Sequence, residues 1–128
     1  MSENRKTILF LEDEEELLNT VGQALTDRGY SVVGVVSAEE ALVYLQDSAP
    51  NLIVADIKLP GIDGFDFYRS VRTIERCKEI PFIFLTAFNN LDAAIRAKRE
   101  GAAEYITKPF EFEDLLYRIN QIVPAGPR

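Results

Sequence analysis

The sequence predicts an α/β fold in which a parallel sheet is wrapped on both faces by helices. Three observations predict it. Short apolar runs of strand length alternate with longer segments of helical period. The runs are apolar at consecutive positions, as strands covered on both faces require. The alternation recurs five times in 128 residues, without a repeat or low-complexity stretch, which is enough chain for about one domain.

The first run is Ile8-Leu9-Phe10-Leu11. Leu17, Leu18, Val21 and Leu25 then recur at helical steps, and Gly29 is placed to close that helix as its C-terminal cap. Val32-Val33-Gly34-Val35-Val36 is the second run, and Ser37 with Glu40 gives capping-box spacing ahead of Ala41, Leu42 and Leu45. Leu52-Ile53-Val54-Ala55 precedes a third helix marked by Phe67, Tyr68 and Val71. Phe82-Ile83-Phe84-Leu85 precedes a fourth, where Leu91, Ala94, Ile95 and Lys98 make a weak apolar face. Tyr105-Ile106-Thr107 ends at a Lys-Pro break, and Leu115, Leu116, Ile119, Ile122 and Val123 make a strong fifth helix. Strict alternation implies right-handed crossovers and a doubly wound (βα)5 sheet. Residues 1–128 read as a single domain with its core at about 7–123, and 124–128 as a tail or the start of a linker.

Composition removes several function classes. Fourteen Lys and Arg against 21 Asp and Glu leave a net charge of −7, which repels nucleic acid and anionic membrane surfaces. The chain has no histidine, so it holds no Ser-His-Asp or Cys-His relay and no imidazole metal ligand. Its one cysteine, Cys77, excludes an internal disulfide and a Cys-based zinc site. No apolar stretch approaches the ~18 residues needed to span a bilayer, and the expected location is cytoplasmic. Chemistry here must run on carboxylates, hydroxyls, lysines and backbone.

Doubly wound sheets bind ligands outside the carboxyl ends of their strands, where the winding reverses. The residues at those ends are Glu12 and Asp13, Asp56, Thr86 and Ala87, and Lys108. Taken singly, each has an ordinary reading as a turn former, a strand end or a surface lysine. Together they bring three carboxylates to one rim. Two charges ~5 Å apart repel by about 3 kcal/mol at an effective dielectric of ~20. Mg²⁺ suits such a rim, because it takes carboxylate oxygens, keeps waters and leaves positions for phosphate. A carboxylate can then attack phosphorus while lysine and a hydroxyl hold the transferring group.

Four segments carry a family resemblance: Ile8-Leu9-Phe10-Leu11-Glu12-Asp13-Glu14, the stretch from Leu52 through Asp56 to Gly64, Ile80-Pro81-Phe82-Ile83-Phe84-Leu85-Thr86-Ala87, and the stretch from Gly101 to Phe110. In this order and spacing the chain resembles the receiver domain of two-component response regulators, over nearly its whole length. The resemblance implies the flavodoxin-like strand order 2-1-3-4-5. It implies that Asp56 accepts a phosphoryl group from a phosphohistidine on a sensor histidine kinase or a histidine phosphotransfer protein. Glu12, Asp13, Asp56 and the Lys58 backbone carbonyl would hold Mg²⁺, with Mn²⁺ as a substitute. Thr86, the Ala87 backbone N–H and Lys108 would bind the phosphoryl oxygens. Thr86 and Tyr105 would form the switch, and Lys58 and Phe88 would tune dephosphorylation. Lys108-Pro109 is a candidate cis peptide.

By the same resemblance the chain is a regulatory phosphoacceptor, catalysing only its own phosphorylation and dephosphorylation. Its output face would lie on the fourth helix, fifth strand and fifth helix, where a homodimer can form. Arg96, Lys98 and Arg99 there face Glu104, Glu111, Glu113 and Asp114 in sequence. No direct nucleic-acid or membrane contact is expected of this domain. The rivals are an aspartate-nucleophile phosphatase and a phosphorylation-independent pseudo-receiver. The phosphatase needs a second aspartate where Lys58 stands, and the intact acids, threonine and lysine argue against the pseudo-receiver.

Overall fold

The computed structural model describes residues 5–87 and 91–125. Strands and helices alternate as β1 (Thr7–Leu11), α1 (Glu15–Asp27), β2 (Ser31–Val35), α2 (Ala38–Leu45), β3 (Leu52–Asp56), α3 (Gly64–Arg72), β4 (Phe82–Ala87), α4 (Leu91–Glu100), β5 (Glu104–Lys108) and α5 (Phe112–Ile122). A short 3-10 turn at Glu75–Cys77, which no local pattern announced, lies between α3 and β4. All strand pairs are parallel, in the order β2-β1-β3-β4-β5. The chain leaves β1 outward to β2 and returns on the other side at β3. The winding therefore reverses between β1 and β3, which opens a crevice at their carboxyl ends.

The period of two along each strand sorts the core into two layers. Leu9, Leu11, Ile53, Ala55, Phe82 and Phe84 face α2, α3 and α4 and pack on Ala41, Leu45, Phe67, Val71 and Ala97. Ile8, Phe10, Leu52, Val54, Ile83 and Leu85 face α1 and α5 and pack on Leu18, Val21, Leu25, Leu115 and Ile119. Each large side chain fully buried this way contributes about 1.5–3 kcal/mol. The second apolar run, read as suited to a sheet interior, lies at an edge; of β2 only Val35 is fully buried and Gly34 is exposed. A continuous run reports cover on both faces, not rank in the sheet.

Helix ends follow the sequence signals. Gly29, at φ +102°, donates its N–H to the Thr26 carbonyl, and Tyr30 N–H reaches back to Leu25. That pair is a Schellman closure, and glycine takes the left-handed position without a Cβ penalty. Ser37 Oγ accepts from Glu40 N–H at 3.1 Å. The Glu40 carboxylate reaches one residue further back than in the usual capping box, accepting from Val36 N–H at 3.1 Å. Asp63 caps α3 by accepting from Asp66 N–H at 2.9 Å. One expectation fails on α4: Ile95, counted with its apolar face, is 47% exposed, and the helix packs inward through Ala93, Ala94 and Ala97. Among the described residues no helix is long and apolar enough to cross a membrane.

Candidate functional site

The β1–β3 crevice holds the acids. Glu12 follows β1 directly, and its N–H bonds the Val35 carbonyl at 3.0 Å, holding it level with the end of β2. Its side chain is fully buried. Oε2 accepts from Glu14 N–H at 3.0 Å and Oε1 from Lys108 Nζ at 2.7 Å. Asp56 is the last residue of β3 and only 6% exposed. Its Oδ1 accepts from Lys58 N–H at 2.9 Å, a local turn that fixes the carboxylate plane, and its Oδ2 accepts from Lys108 Nζ at 2.6 Å. Asp13 is exposed at the mouth. One carboxylate oxygen from each of Glu12, Asp13 and Asp56 lies within 4.8 Å of the others. The parallel register brings these residues together, since Leu11 pairs with Val35 on one side and Ala55 on the other.

Electrostatics in the crevice are one-sided. Burial raises the Glu12 carboxyl above the usual carboxylate value, although hydrogen bonds from Lys108 and Glu14 N–H pull it down. Burial alone would lower the Lys108 ammonium, but its hydrogen bonds to Asp56 and then Glu12 outweigh that and raise it. Lys108 therefore stays charged and is the only cation bonded to these acids among the described residues. One ammonium against three carboxylates leaves a negative surplus suited to a hard divalent ion.

Thr86 stands one residue beyond Leu85, the β4 partner of Asp56. It is 1% exposed, and its Oγ1 has no hydrogen-bond partner among the described residues. Leaving a buried hydroxyl unpaired costs about 1–3 kcal/mol. Ala87 follows it, exposed and in register with Lys108. The Lys108-Pro109 peptide is cis, as the X-Pro pattern suggested. Tyr105 is half-buried on the edge strand β5, in register with Phe84 and packed on the α2–α3–α4 core. The Lys58 side chain is exposed and makes no ion pair among the described residues, so the crevice uses its backbone. Phe88 lies outside the described residues.

The structure also picks out a residue that the sequence reading passed over. Gly64 donates its N–H to the Ile57 carbonyl at 2.7 Å and lies against the backbone of Asp56 and Ile57. In the sequence it stands only as the last residue of the Leu52 to Gly64 stretch that carries the family resemblance. The charge face beside α5 needs one correction: Glu113 turns away from α4 and pairs with Arg28 at 2.8 Å, while Glu104 takes Arg118 at 3.1 Å and Lys98 at 3.7 Å.

Comparison with known proteins agrees with this geometry. The response regulator receiver domain family matches residues 8–120. The response regulator protein FleR of Pseudomonas aeruginosa is 38% identical over 109 residues, 85% of this chain and 23% of FleR. The transcriptional regulatory protein AfsQ1 of Streptomyces coelicolor is 34% identical over 122 residues, 95% of this chain and 53% of AfsQ1. The chain thus spans between about a quarter and a half of these relatives. The non-phosphorylated HemR receiver domain of Leptospira biflexa superposes with a TM-score of 0.84 at 32% identity, covering 96% of this chain and 98% of that one. The chemotaxis response regulator CheY4 of Vibrio cholerae superposes with a TM-score of 0.85 at 28% identity, covering 92% and 98%. Fold, acidic crevice and sequence agree: the chain belongs to the receiver domain family of two-component response regulators, which are regulatory signalling domains.

Proposed function

We propose that Asp56 is the phosphoacceptor of this receiver and that the β1–β3 crevice is its reaction site. The observation that carries the reading is the meeting of Glu12, Asp13 and Asp56, two of them bonded by Lys108, beside a buried Thr86 hydroxyl that lacks a partner among the described residues. The donor set is all hard oxygen and fits Mg²⁺, or Mn²⁺ as a substitute. Glu12, Asp13, Asp56 and the Lys58 carbonyl would hold the ion. When bound, it supplies charge neutralisation for the phosphoryl oxygens.

The chain's own residues do the rest. An Asp56 carboxylate oxygen attacks phosphorus as the phosphorus–nitrogen bond of a donor phosphohistidine breaks, and an acyl phosphate forms on Asp56. The phosphohistidine lies outside residues 1–128, which contain no histidine, on a sensor histidine kinase or a histidine phosphotransfer protein. Lys58 N–H holds Asp56 in one orientation. Lys108 neutralises charge on the transferred group, and Thr86 Oγ1 donates to one of its oxygens together with Ala87 N–H. Filling the Thr86 position with a partner gives the bound state an interaction the free state lacks, which is what a two-state switch needs. Tyr105, on the neighbouring strand, would report the change to the face formed by α4, β5 and α5, and Lys58 and Phe88 would set how long the acyl phosphate survives. A homodimer through that face would exchange the internal pairs of Glu104 with Lys98 and Arg118 for cross-chain ones. Residues 1–128 serve as one receiver domain in this reading.

The test is labelling by acetyl phosphate. Wild type takes the label only with Mg²⁺ and Asp56→Asn takes none; equal labelling of the two, or labelling without a divalent ion, overturns the assignment.

A further inference from the structure

Helix α4 is held by small side chains: its buried residues are Ala93, Ala94 and Ala97 among those described. Methyl groups bury little area, so apolar packing anchors it less firmly than α1, with Leu18, Val21 and Leu25, or α5, with Leu115, Leu116 and Ile119. Charge makes up part of the difference. Glu100, the last residue of α4, accepts from Arg69 Nη2 of α3 at 2.6 Å and keeps 22% side-chain exposure. Arg96 Nε lies 3.8 Å from the same carboxylate. The Arg96 guanidinium stands 4.2 Å from the ring centroid of Phe65, in the first turn of α3. Phe65 is buried with its centroid 5.3 Å from that of Phe84, and Phe84 and Thr86 share one face of β4.

We propose that Glu100, gripped by Arg69 and Arg96, is a restraint that holds α4 against α3 in the phosphate-free arrangement and thereby opposes phosphoryl acceptance at Asp56. The inference rests on the reading of Asp56 and Thr86 above. Thr86 Oγ1 has no partner among the described residues in this arrangement, so a phosphoryl oxygen would draw the end of β4 toward Asp56. Only residues 88–90 separate that strand from α4. Binding linkage is reciprocal: an interaction that favours the phosphate-free position of α4 must weaken the modified state by the same factor.

Two measurements on Glu100→Gln, Arg69→Gln and the double variant test this: the rate of Asp56 labelling by acetyl phosphate with Mg²⁺, and amide hydrogen exchange without a phosphodonor. Each single variant should label roughly two- to fivefold faster, the range partly exposed ion pairs supply, and the double variant no faster than Glu100→Gln, which already releases both arginines. Exchange of α4 amides should rise in all three while α1 amides stay as in wild type. Labelling at or below the wild-type rate overturns the restraint, as does faster labelling with unchanged α4 exchange. A wild-type chain that takes no label removes the reading of Asp56 instead, and the proposal with it. The α4 exchange data would still show whether the grip itself exists, so the two failures are told apart.

Discussion

Gly64 lies so close to Asp56 that a β-carbon at position 64 would stand 2.7 Å from the Asp56 carbonyl oxygen and 2.7 Å from Ile57 Cα. Both neighbours are backbone, so neither can swing aside. Gly64→Ala should therefore displace the turn that presents Asp56. A loss of about 1–3 kcal/mol is expected, the usual cost of overpacking, together with slower labelling of Asp56. Urea denaturation and acetyl phosphate labelling read the two effects; a variant as stable and as reactive as wild type contradicts the close approach.

Thr86 should respond in opposite directions to two assays. Thr86→Val replaces an unpartnered buried hydroxyl with a methyl of similar shape, removing a desolvation cost of about 1–3 kcal/mol. The variant should match or exceed wild type in thermal stability while its Asp56 labelling slows. Parallel loss of stability and labelling would mean that the hydroxyl already has a partner in the free protein.

Lys108 bridges two buried carboxylates, at 2.7 Å from Glu12 and 2.6 Å from Asp56. Removing one partner of a buried ion pair commonly costs about 3–5 kcal/mol. Lys108→Met should be destabilised, and Mg²⁺ should raise its melting temperature more than that of wild type, because the ion then faces three acids with no competing ammonium. Equal stabilisation of both proteins by Mg²⁺ would place the ion elsewhere.

Tyr30 ties the end of α5 to the start of β2. Its hydroxyl lies 2.6 Å from Asn120 Oδ1 and 2.7 Å from the Val123 carbonyl, and its ring is fully buried. Tyr30→Phe should cost about 0.5–1.5 kcal/mol for the lost bonding, plus the penalty of a buried carbonyl left unpaired. Burial also raises the phenol above its ordinary 10.0. The folded chain then holds this proton more tightly than the unfolded chain. Stability from this source is complete below 10.0 and falls as pH rises through the folded value. Tyr30→Phe should flatten that alkaline decline in a pH series of urea midpoints, and an unchanged slope would assign it to another group.

Much of the fold and site was readable in advance because the signals are local. Strand-length runs, the Gly29 closure and the Ser37 cap depend on neighbours a few residues away. The order of strand ends alone names Glu12, Asp13, Asp56, Thr86 and Lys108. Helix facing was less legible: Ile95 turns outward and Glu113 meets Arg28 instead of α4, since rotation about a helix axis is decided by what the opposite layer offers. Gly64 escaped notice because a close approach depends on a backbone eight residues away, not on its own turn propensity.

Sequence by itself determined the alternation of elements, the two-sided burial of the strands and the kinds of groups at their ends, because hydrophobic period and capping chemistry act over short separations. Only the tertiary structure decided that a lysine 52 residues after Asp56 and 96 after Glu12 donates to both carboxylates, and that the Thr86 hydroxyl is left without a partner among the described residues. Those relations arise from the register of parallel strands that are distant in the chain. That register is settled by how the two core layers fill, which no local stretch encodes.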